Sequence, residues 1–80
     1  MAVADRILSL MKASAEEYAR APGFLSVRAA KLEVATFFQS EKTEQPPDDT
    51  LEYLAGELVR LSLENRAARR AAGWGAAHHN

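Results

Sequence analysis

Residues 49–72 read DTLEYLAGELVRLSLENRAARRAA, and the spacing within them decides the fold. Leu51, Leu54, Leu58, Leu61, Asn65, Ala68 and Ala72 recur at alternating steps of three and four. That spacing draws one apolar seam along a long helix, with a single polar residue set into it. Asp48 and Asp49 stand where a helix cap is expected, and Asp49 with Glu52 has the spacing of a capping box. Acids come early and Arg66, Arg69 and Arg70 come late, which suits the helix dipole at both ends. At 1.5 Å per residue such a helix spans about 35 Å. Gly73-Trp74-Gly75 is expected to stop it, leaving Ala76 to Asn80 as a flexible tail.

Working back toward the N-terminus, Ser40 to Asp48 reads as a polar linker containing Pro46-Pro47, which cannot continue a helix. Before it, Val27, Ala30, Val34 and Phe37 step by three and four, with Phe38 widening the face, and predict a helix over 24–39. Residues 2–20 predict another. Ala4, Ile7, Leu8, Met11, Ala15 and Tyr18 share its apolar side, opposite Asp5, Ser9, Lys12, Glu16 and Arg20. Val3 and Leu10 widen its apolar arc. Ala21-Pro22-Gly23 breaks the chain between the two, because a residue before proline avoids the α region and glycine accepts left-handed backbone. The expectation is one all-α domain over 1–75, a helical hairpin with a Pro-Gly turn plus a longer third helix.

Eighty residues bury only about 60% of the surface their unfolded chain exposes, so a lone core is marginal. Without cysteine there are no disulfides and no thiolate metal sites, and His78 and His79 are adjacent near the chain end. Association is the remaining compensation, and a homodimer is expected. Leu10, Leu25, Leu32, Val59 and Leu63 lie off the main apolar stripes and form, with Trp74, a candidate partner surface. Asn65 at a core-type position suits a residue that fixes register or oligomer state. The seam of Leu51, Leu54, Leu58, Leu61 and Asn65 serves equally as the core of a monomeric bundle or as a dimer interface. Gly56 inside it either permits a close helix crossing or is a weak spot.

The net charge of −1, from 10 basic and 11 acidic residues, gives no global attraction to nucleic acid or anionic lipid. No apolar run approaches the ~20 residues of a membrane span, and Asp5 and Arg6 interrupt any secretion signal. A soluble cytoplasmic protein is the expectation. Abundant Ala and Arg with three Lys point to a GC-rich genome, of bacterial or mobile-element type. Glu16-Glu17 and Asp48-Asp49 are adjacent pairs on helix and cap surfaces, and no nucleophile is paired with a base. No catalytic residue, cofactor or metal is expected. Arg66, Arg69 and Arg70 are candidate contacts for an anion or an acidic partner, set against a solvated last helical turn.

Ala19, Gly23 and the helix that follows directly through Phe24-Leu25-Ser26 resemble the turn region of helix-turn-helix DNA-binding proteins. The resemblance covers some 20 residues within 15–34, and Pro22 and the overall charge depart from it. It implies that Ser26, Arg28 and Lys31 meet the major groove. The leading expectation is instead a small non-catalytic module that regulates or inhibits a larger protein through apolar helix faces. A DNA-binding regulator and a structural subunit of a larger assembly are the alternatives.

Overall fold

A computed structural model describes residues 2–78, with side chains through Gly73, and they form three α-helices and no strand. The first, α1, spans Val3–Arg20; α2 spans Val27–Ser40; and α3 spans Asp48–His78. α3 is the axis of the fold. Both shorter helices pack along it and touch each other far less.

Helix α1 ends where the sequence forces it to. Ala21 is extended ahead of Pro22, and Gly23 takes a φ of 80°, the left-handed region that favours glycine. α2 begins at Val27, three residues later than the expected Phe24. Ser26 is its N-cap: the hydroxyl accepts a hydrogen bond from the Ala29 amide at 3.1 Å. At the other end of α2, the Thr43 amide bonds the Phe38 carbonyl and the Lys42 amide bonds that of Gln39. This is a Schellman closure with Lys42, at φ 55°, in the place glycine usually fills.

The third helix departs from expectation at both ends. It starts at Asp48, so the aspartates lie in its first turn rather than capping it, and Asp49 accepts from the Thr50 amide. It then passes Gly73 and Gly75 and runs to His78. A glycine costs a helix only about 1 kcal/mol, and alanines on both sides of this pair are the strongest helix formers. Ala76 to His78 are therefore helical, while His79 and Asn80 lie outside the described residues.

The core is small, and three of its seven buried members are alanine. Ile7, Met11 and Ala15 from α1, Ala30 and Val34 from α2, and Ala55 and Leu58 from α3 form its buried cluster. Among these, Leu58 and Val34 are the largest fully buried side chains. The expected seam of α3 is thus turned toward Ala55 and Ser62, both buried, with Leu51, Leu54 and Leu61 packed partly buried on its flanks. Ser62 satisfies its hydroxyl by donating to the Val59 carbonyl at 2.7 Å, which makes burial tolerable. Asn65 is half-buried, and Ala68 and Ala72 are exposed. The periodicity runs on past Arg66, but α1 and α2 do not, so nothing covers it.

Gly56 is not a close crossing. A Cβ built on it meets nothing within 4 Å, so the glycine is only a weak spot in the helix.

Candidate interaction surfaces

Closing the core leaves two apolar grooves beside the first turns of α3. The larger, about 460 Å³, is floored by Ile7 and Met11 of α1 and Leu54 of α3. Its walls are Val3, Ala4 and Leu8 of α1 and Phe38 of α2. No polar residue lines it. Leu8 is 46% exposed and Val3 39%. Leu8 was expected in the core and Leu10 on a partner surface. The structure has Leu8 open and Leu10 half-buried, because α3 crosses α1 over Ile7, Met11 and Ala15.

A second groove of about 430 Å³ lies where α2 meets the start of α3, lined by Arg28, Lys31, Leu32, Ala35 and Leu51. Leu32 is 71% exposed here, the most open of the leucines proposed for a partner surface. Its ammonium-bearing neighbour Lys31 reaches across to Asp48 at 2.6 Å and Glu52 at 3.5 Å, tying α2 to α3. The hydrogen bond that Lys31 donates to Asp48, and then the charges of Asp48 and Glu52, raise the Lys31 pKa. Of the other leucine-type candidates, Leu25 and Val59 pack partly buried against the core, and Leu63 is exposed on α3. The side chain of Trp74, and those of His78 and His79, lie outside the described side chains.

Arg66 is no part of an open basic cluster. It is half-buried, and its Nη2 donates to the Tyr18 carbonyl at 2.9 Å and to the Gly23 carbonyl. The guanidinium also lies 4.6 Å from the centre of the Phe24 ring. Tyr18 contributes one of the last carbonyls of α1, where a cation is favoured by the helix dipole. Arg66 thus latches α3 to the connection between α1 and α2, while Arg69 and Arg70 remain exposed. Its Nε is buried with no hydrogen-bond partner, a cost the latch carries.

A polar contact also joins α1 to α2. Glu33 accepts from the Tyr18 hydroxyl at 2.9 Å and from the Ser14 hydroxyl at 3.3 Å. The bond to Glu33, then burial, then the charges of Glu33 and Glu17 raise the Tyr18 pKa above the ordinary phenol value. On the outer face of α3, Arg60 bridges Glu57 and Glu64 within its own helix. Among the described residues no group of three or more His, Cys, Asp or Glu is placed to hold a metal ion, and no helix is long and apolar enough to cross a membrane.

The segment resembling a helix-turn-helix has six residues, 21–26, between its helices rather than three or four. Of its candidate DNA contacts, Ser26 is committed to the cap of α2, Lys31 is paired with acids, and Arg28 is exposed. No protein-family model, curated protein or solved structure matches this chain.

Proposed function

We propose that this chain is a non-catalytic protein-binding module that regulates or inhibits a larger partner, and that it works as a homodimer. The observation that carries this reading is the pair of open apolar grooves left after α1, α2 and α3 have closed their core. Leu8 and Leu32 stand exposed beside these grooves, and an open apolar groove is the first place to look for a bound partner. The seam of α3 supports the module reading in a different way from that expected. Leu58 is fully buried within the chain, so the leucines of α3 hold the monomer together, and dimerisation falls to another face.

Of the two grooves, the one around Leu32 on α2 suits a partner protein. It pairs apolar floor with a basic rim from Arg28, and Leu32 is the side chain a partner would bury first. The test is retention of proteins from an extract of the native cell by the wild type and by L32E, followed by reconstitution with the purified candidate. Expected is a partner that binds the wild type directly, loses L32E, and is insensitive to salt. Equal retention by both, or retention of duplex DNA that fades steeply with salt, overturns the reading.

A further inference from the structure

The α1 groove is lined by apolar residues alone, and an exposed acid and an exposed base stand outside it on the far side of Leu8. Asp5 and Lys12 are exposed, form no ion pair among the described residues, and lie seven residues apart on the same flank of Leu8. Their neighbour Arg6 points elsewhere and is held by Glu41 at 3.1 Å. An acid and a base one heptad apart on one flank cannot reach each other along their own helix. In an antiparallel pair of identical helices that flank faces its own copy, so each acid meets the other copy's base. Ala4, one turn before Leu8, is small enough to let two such helices approach closely.

We propose that the α1 groove is filled by a second copy of this chain, the two α1 helices crossing antiparallel at Leu8, with Asp5 of each pairing with Lys12 of the partner subunit. Leu8 of the partner subunit then enters the groove beside Leu54, and a twofold axis passes between the two copies of Leu8. This rests on the homodimer reading above and gives it an interface. The α2 groove stays free, twice per dimer.

Sedimentation equilibrium from about 1 to 500 µM tests it, with circular dichroism to confirm that each variant folds. Leu8, Asp5 and Lys12 are all exposed in the monomer, so their substitution leaves the core intact. The wild type should dimerise and L8E should be monomeric throughout. D5K and K12D should each weaken association about tenfold, an effect that shrinks at high salt. The double variant D5K/K12D should return to within about threefold of the wild type, as should a mixture of the two single variants, which restores both pairs in a heterodimer. A monomeric wild type overturns both this interface and the homodimer. A dimer that survives L8E, or charge variants that neither weaken singly nor recover together, overturns the interface alone. Loss of partner binding in L32E is read separately from either.

Discussion

The two halves of α3 obey the same sequence rhythm and meet different fates. From Leu51 to Ser62 the helix is sandwiched between α1 and α2, and Ala55 and Leu58 have no exposed surface. From Ala67 to Gly73 every residue is exposed, although Ala68 and Ala72 continue the same three-four spacing. Arg66 marks the border, where its guanidinium closes on the connection that ends α1 and starts α2. Periodicity therefore identifies a face able to be buried. Whether it is buried depends on the length of the helices available to cover it, and here α1 and α2 run out first.

The sharpest way to break this comparison is to substitute one position in each half. L58A removes the largest fully buried side chain and should cost on the order of 2–5 kcal/mol, enough to unfold much of so small a domain. A68S, on the same stripe three turns later, should stay within about 0.5 kcal/mol. Urea titrations measure both. A loss below about 1 kcal/mol for L58A would mean that the sandwich is not the core.

The border itself gives the next effect. R66A removes two hydrogen bonds to carbonyls and the contact over Phe24, and should cost about 1–3 kcal/mol. R69A and R70A should change stability by less than about 0.5 kcal/mol each. If all three behaved alike in thermal melts, Arg66 would be a solvated member of a basic cluster rather than a latch.

Three helices, their order and most of their extents were legible because apolar spacing and the Pro-containing breaks are local signals. The cap at Ser26 was missed, because Pro22-Gly23 drew the expected start of α2 back to Phe24 and placed Ser26 inside the helix. The role of Arg66 was not legible. Its acceptors lie 48 and 43 residues away, and nothing in ENRAARR distinguishes it from Arg69 or Arg70. The grooves were half legible: Leu32 and Val3 were recognised as surplus apolar surface, whereas Leu8 was assigned to the core. One turn of helix holds several apolar residues, and only the crossing direction of α3 selects among them.

Within the covered part of the bundle, Tyr18 joins α1 to α2 by donating to Glu33, and this contact has a pH signature. Its folded pKa is raised, so the phenol is more easily ionised in the unfolded chain, where its pKa is about 10. The contribution to stability is then complete below pH 10 and disappears as pH rises from there through the folded value. Melting temperatures of the wild type should fall more steeply above pH 10 than those of Y18F. Lys31, also raised, loses its contribution in the same window, and the difference between the two proteins cancels it. Parallel curves would mean that the hydroxyl does not hold Glu33.

The smallest effect sets one glycine from each half against the other. Gly56 and Gly73 are both helical, and a Cβ on either meets nothing within 4 Å, so alanine is free of steric cost at both. In the covered half the helix unfolds only with the whole domain, so the gain in helix propensity must appear in global stability. G56A should therefore stabilise by about 0.5–1 kcal/mol, a rise of several degrees in melting temperature for a chain of this size. In the exposed half no other helix packs on α3, and opening there is uncoupled from the core. G73A should leave the melt unchanged and slow hydrogen exchange only at amides near residue 73. Equal rises in melting temperature would mean that the exposed half of α3 is part of the cooperative unit, held by contacts with a second copy or another protein.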